Sequence, residues 1–125
     1  MQAQDIRQYQ WKNRLLLLFA PSSESATFKK QYDHLTNKQE EVTERDLLIF
    51  QLFLLGGQYD NGILTKEESQ KLYKRYEVPR DAFTLLLIGK DGGLKLRRSE
   101  FTEVNDIFNL IDSMPMRQAE MRRRN

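Results

Sequence analysis

Two adjacent serines, Ser22 and Ser23, sit where an apolar run gives way to a turn and then to a helical pattern, in the stretch LLLLFAPSSES. Serine at such a junction has three uses. Its hydroxyl can cap the first turn of the helix. The free N–H groups of that turn, backed by the helix dipole, can hold an anion. Or the hydroxyl can attack a substrate, which requires a neighbouring base because its own pKa is very high. Pro21 precedes the pair and Glu24 follows it. The Glu24 charge suits a helix start and repels an incoming anion, so plain capping by Ser22 or Ser23 is the simplest expectation. The chain's one histidine, His34, falls between the inward positions of the following helix and reads as a solvated residue rather than as a base for serine.

A second group is basic. Lys90, Lys95, Arg97 and Arg98 cluster in and after a hairpin turn. They could hold a polyanion such as a sulfated glycan or a phosphate. Charged side chains on a last strand also discourage pairing with another chain, and edge protection is the simpler account. A third group, Asn61, Gly62 and Glu68, brushes against a calcium-loop spacing, but Gly57 and Tyr59 stand where oxygen ligands are needed, leaving a cation half its shell. No metal and no cofactor are expected. The glycines of GKDGG lack the strand–loop–helix setting of a phosphate loop.

Composition removes whole classes of chemistry. The 125 residues contain no cysteine, which excludes disulfides, thiolate nucleophiles and thiolate metal sites in this chain. A formal net charge of +2 is too small to argue for nucleic acid. Much of the basicity lies late, in Arg117 and residues 122–124. With no core to join, that segment is expected to be a basic flexible tail over 117–125, after a domain spanning 1–116. The longest apolar runs, 15–20 and 52–55, are too short to span a bilayer. Lys12 and Arg14 ahead of LLLLFA mimic a signal peptide, but a buried strand fits better. The expectation is a soluble chain without a signal peptide as given, periplasmic or secreted if Met1 replaces a removed leader.

The elements that position these residues follow from periodicity. Residues 15–19 are an unbroken apolar run, as in a strand buried on both faces. Phe28, Tyr32 and Leu35 recur at helical spacing, giving a helix over about 25–39. The stretch TERDLLIFQLFLL supplies a second doubly buried strand over 47–55, and GGQYDNG reads as a loop. Thr65 and Glu68 form a capping box that opens a helix ended by Val78 and Pro79. Residues 83–88 and 94–97 flank Asp91-Gly92 as a hairpin. Residues from Val104 to Met114 make a final amphipathic helix stopped by Pro115. Two apolar strands separated by a helix should run parallel, and the hairpin should close antiparallel. The expected fold is α/β and thioredoxin-like: a four-stranded mixed sheet, ordered second, first, third, fourth, with helices on both faces.

Three blocks carry a family resemblance: YQWKNRLLLLFAPS, FTLLLIGKDGGLKLRRSE and IDSMPMRQAEMRR. In this order they resemble the peroxiredoxin-related family of unknown function called P-DUDES, which occurs alone in bacteria and inside animal sushi-repeat-containing and coiled-coil-domain-containing secreted proteins. The resemblance implies a thioredoxin-like scaffold without established catalytic residues and with a role in binding. Where thioredoxins and peroxiredoxins hold their cysteine, this chain reads Pro21, Ser22, Ser23, Glu24. Where thioredoxins place a proline ahead of the third strand, it has Phe83.

The expected function is therefore a non-catalytic binding or interaction module, with an unidentified protein or a polyanionic or glycan ligand as partner. The expected ligand contacts are Pro21, Ser22, Ser23, Tyr59, Lys95, Arg97 and Arg98, with Trp11 as a further aromatic. They follow the rule that α/β sheets place sites at the carboxyl ends of strands. One alternative is a thiol-independent enzyme using Ser22 or Ser23, with Arg14 or Arg98 as electrostatic help. The other is a structural dimerisation domain.

Overall fold

A strand with no polar face must find cover above and below, and β1 (Arg14–Phe19) does: all six of its residues are buried. The computed structural model describes residues 6–60 and 62–124, the last of these by its backbone only. Alternate side chains of β1 enter two cores. Leu16 and Leu18 pack with Phe28 and Leu35 of α1 (Ala26–Thr36), Val42 of α2 (Gln39–Glu44) and Ile107, Phe108 and Ile111 of α4 (Val104–Asp112). Leu15, Leu17 and Phe19 pack with Leu72 and Tyr73 of α3 (Lys66–Arg75) and with Ile6 of a short 3-10 turn (Ile6–Tyr9). Each fully buried leucine contributes on the order of 2 kcal/mol, so the central strand ties both halves of the molecule together.

β1 pairs parallel with β2 (Leu47–Phe53) and antiparallel with β5 (Thr84–Ile88), which pairs with β6 (Leu94–Arg98). These four strands stand in the expected order, but the sheet does not end there. It has six strands, β4-β3-β2-β1-β5-β6, because the stretch expected to be a loop forms a hairpin of β3 (Gly56–Tyr59) and β4 (Gly62–Leu64) on the outer edge of β2. Gly57 permits this: a Cβ there would stand 1.9 Å from the carbonyl oxygen of Gln51 on the neighbouring strand. β2 is buried on both faces only in part. Leu48, Ile49, Gln51 and Phe53 are half-buried.

Three other expectations change. The first helix breaks after Thr36, and α2 follows as a separate turn and a half, beyond which Asp46 takes φ 51°. The N-cap of α1 is Ser25, not Ser22 or Ser23. α4 ends at Asp112, two residues before the expected Met114, and Pro115 opens α5 (Pro115–Arg124) as that helix's first residue, a position where a missing N–H costs nothing. Residues expected to form a flexible tail are therefore helical through 124, and Arg117 is buried.

Candidate functional site

The turn between β1 and α1 closes on itself. Ser22 Oγ accepts the Glu24 N–H at 3.2 Å, and Ser25 Oγ accepts the Phe28 N–H at 3.4 Å as the N-cap. Glu24 pairs with Lys29 at the surface, at 3.2 Å. Ser22 and Ser23 are both exposed, and among the described residues neither has an imidazole or carboxylate as hydrogen-bond partner. His34 instead packs edge-on against Phe101, with ring centroids 5.0 Å apart. Arg14 stands at the opposite end of β1, about 16 Å of extended strand from Phe19. Arg98 donates to the Arg97 carbonyl at 3.1 Å. The groups that a serine enzyme would need are thus not assembled.

Behind the turn, α3 anchors the carboxyl ends of both central strands. The Tyr73 hydroxyl lies 2.8 Å from the Ala20 carbonyl oxygen and 3.2 Å from that of Leu52, donating toward both. Burial pushes the Tyr73 pKa up to about 12, against smaller opposing effects of the Ala20 hydrogen bond and the Arg80 charge. Ser69 Oγ donates to the Phe53 carbonyl at 2.5 Å. Neither residue stands out in the sequence, because each sits on the ordinary inner face of an amphipathic helix.

Around this anchored end lies an open cleft of about 330 Å³ lined by Pro21, Ser22, Ser23, Phe53, Leu55 and Ile63, with neighbouring backbone of Gly56, Gly57 and Leu64. Leu55 is 80% exposed and Ile63 76% exposed, so the rim opposite the serines is aliphatic. Leu55 lies in the turn between β2 and β3 and Ile63 on β4, so part of this rim belongs to the hairpin not expected from the sequence.

The other expected contacts lie elsewhere. Tyr59 stacks on Phe50, with centroids 5.1 Å apart, and borders a separate polar cavity of about 300 Å³ beside Tyr32, Gln51, Gln58 and Asp60. Lys95 pairs with Asp91 at 2.9 Å. Arg97 donates to the carbonyls of Tyr76 and Glu77 at 2.6 and 3.0 Å, closing the carboxyl end of α3, where a cation also complements the dipole. Arg98 pairs in register with Leu85 and so lies at the same end of the sheet as Pro21, with β5 between β6 and β1. Lys90, expected on the hairpin edge, is buried and bonds to Asp46 at 2.9 Å and Glu120 at 2.8 Å. Glu68, drawn into the calcium pattern, serves the capping box with Thr65. Asn61 of that pattern lies outside the described residues.

At the far end of the sheet, α5 is held by charge. Arg14 makes a two-pronged bond to Glu120 at 3.2 and 3.1 Å. Arg117 bonds to Asp112 at 2.9 Å and to Glu44, and Arg45 grips Asp112 at 3.1 and 2.8 Å. Burial alone would raise the Glu120 carboxyl, but the hydrogen bonds and charges of Arg14 and Lys90 outweigh it and lower its pKa. The Asp112 carboxyl is lowered in the same way, burial being overcome by Arg45 and Arg117.

Comparison with known proteins fits this geometry. The chain is 26% identical to zebrafish (Danio rerio) coiled-coil domain-containing protein 80 over 93% of its own length and 15% of the relative's. It is 29% identical to sushi repeat-containing protein SRPX2 of Xenopus laevis, over 93% of this chain and 26% of that one. It thus spans about a quarter or less of the length of these relatives. Among solved structures, reduced Plasmodium vivax 2-Cys peroxiredoxin superposes with a TM-score of 0.70 at 15% identity, covering 91% of this chain and 84% of the other. Plasmodium yoelii thioredoxin peroxidase I gives 0.67 at 17%, covering 91% and 79%. At such identity the likeness is one of fold: α/β and thioredoxin-like. This chain contains no cysteine; its residues 5–120 match the model described as "Domain of unknown function (DUF4174)", and the chain belongs to that family.

Proposed function

We propose that this domain is a non-catalytic binding module that receives an apolar segment of a partner polypeptide in the cleft at the carboxyl ends of β1 and β2. The observation that carries the reading is the pairing of the Pro21–Ser22–Ser23 turn with the exposed aliphatic rim of Leu55 and Ile63. Large aliphatic side chains left bare beside a concave surface are the usual mark of a docking site. The exposed Ser22 and Ser23 supply polar partners at its border. That the matching stretch is a minor part of the sushi-repeat and coiled-coil relatives supports a modular role. Against the serine-enzyme alternative stands Ser22, whose hydroxyl is engaged by its own turn.

The test is selection of short peptides on the immobilised domain, followed by amide-shift mapping of the enriched sequences. Shifts are expected at residues 22–23, 53–57 and 63–64. The double change Leu55→Ser with Ile63→Ser is expected to weaken binding by about ten-fold or more, as loss of a central anchor does. Failure to enrich any peptide, or shifts confined to another face, would overturn the reading.

A further inference from the structure

On the other side of the molecule a cavity of about 340 Å³ joins apolar walls to a cationic floor. Its walls are Trp11, Met114 and Met116; its charged lining is Arg14, Lys90 and Lys95, against the one carboxylate of Asp91. The size falls at the lower end of small-ligand sites, about 300–1,000 Å³. Three features mark it as more than a surface dent.

First, Trp11 is 62% exposed and adopts φ 70°, a left-handed conformation costly for a bulky side chain. A hydrogen bond from its N–H to the Lys90 carbonyl, at 2.6 Å, holds it there. Strain of this kind persists where the surroundings demand one placement of a side chain. Here it stands an indole over the cavity instead of folding it into the core. Second, the floor is made of cations that are themselves buried: Arg14 is 1% exposed and Lys90 is 8%. Third, their donors are not used up. Among the described residues the Arg14 Nε–H has no partner, and Lys90 spends bonds on Asp46 and Glu120 out of the three that an ammonium offers. Glu120 and Asp46, the carboxylates that pair with these two cations, are not among the residues lining the cavity.

An apolar slot that ends in buried donors suits a molecule with a hydrocarbon or aromatic body and one anionic head. We infer that the cavity between Trp11 and the start of α5 is a binding site for a small free monocarboxylate, its apolar body against Trp11, Met114 and Met116 and its carboxylate toward Lys90 and Lys95. This site is separate from the cleft at residues 21–23 and stands or falls independently of it.

Trp11 is the only tryptophan of the chain, so its fluorescence reports the site without a label. Titration with octanoate and with 3-phenylpropionate is expected to give saturable shifts with dissociation constants of roughly 0.1–5 mM. Octanamide, which lacks the charge, and acetate, which lacks the body, should each bind at least about ten-fold more weakly. Met116→Asp, an exposed position, should weaken octanoate by about ten-fold by placing a like charge and a polar group in the wall, with the circular dichroism spectrum unchanged. The inference is overturned by no saturation below about 10 mM, by equal responses to octanoate and octanamide, or by an unaffected Met116→Asp variant. A short peptide ending in a free leucine carboxylate that binds at least about ten-fold more tightly than octanoate, and loses this on amidation, would also overturn it in favour of a chain terminus.

Discussion

At residue scale, the Tyr73 hydroxyl reaches the carbonyl oxygens of Ala20, just past β1, and of Leu52, near the end of β2. Replacing it with phenylalanine strips a buried acceptor of its partner, and Tyr73→Phe should cost about 1–2 kcal/mol at neutral pH in urea unfolding. The raised pKa of about 12 sets a pH signature. A group whose folded pKa lies above its unfolded one gives stability that is whole below the unfolded value and disappears as pH rises through the folded value. Between pH 10 and 12 the wild type should therefore lose about 2–3 kcal/mol that the phenylalanine variant lacks. Identical alkaline slopes for the two proteins would refute the assignment. Arg97 illustrates how a surface charge misleads. It reads as a ligand contact, yet its guanidinium is occupied with the last carbonyls of α3, bonds that join residues about twenty positions apart and leave no local pattern.

At the scale of elements, the β3–β4 hairpin depends on a side chain that is missing. Gly57→Ala would drive a methyl group into the Gln51 carbonyl, 1.9 Å away, and the strand must move off. We expect a loss of about 2–3 kcal/mol, with hydrogen-exchange protection falling in residues 56–64 and unchanged in β1. Retained protection across the hairpin would contradict this. The same glycines explain what the sequence conceals. Strands buried on both faces, β1 and β5, announce themselves as apolar runs, and the Thr65–Glu68 box and the amphipathic face of α4 are equally legible. β3 has no such run: Gly56, Gly57 and Gln58 look like loop because their strand character comes from pairing with β2. α2 is too short to show a period. In α5 the buried face is made of Arg117 and Glu120, types that elsewhere face water, so the helix reads as a solvated end. The candidate cleft was only partly visible for the same reason: its serine side lies on a clear strand–helix junction, whereas Ile63 of its aliphatic rim lies on the concealed hairpin.

For the whole molecule, the ionic cluster decides the response to acid. The Glu120 and Asp112 carboxyls titrate below their ordinary values. Their contribution is complete above the unfolded pKa and is lost as pH falls through the lowered folded one. Lowering the pH from about 5 toward 3 should release α5 before the central strands, seen as early loss of amide protection within residues 118–123. Glu120→Gln should remove part of that acid dependence and cost about 3 kcal/mol at pH 7 by leaving Arg14 and Lys90 short of their counter-ion. Simultaneous loss of α5 and β1 protection in wild type would argue against a separate release.

The bond from Arg14 to Glu120 joins positions 106 apart. During synthesis the first strand of the sheet leaves the ribosome long before its guanidinium has a counter-ion. Until residues 115–124 are made, the nascent chain carries an uncompensated cation at the head of its innermost ribbon. Complete folding of the domain is thus deferred until residues 115–124 have emerged, and a ribosome stalled shortly before Glu120 should display a protein with its central layer collapsed and one end unsealed.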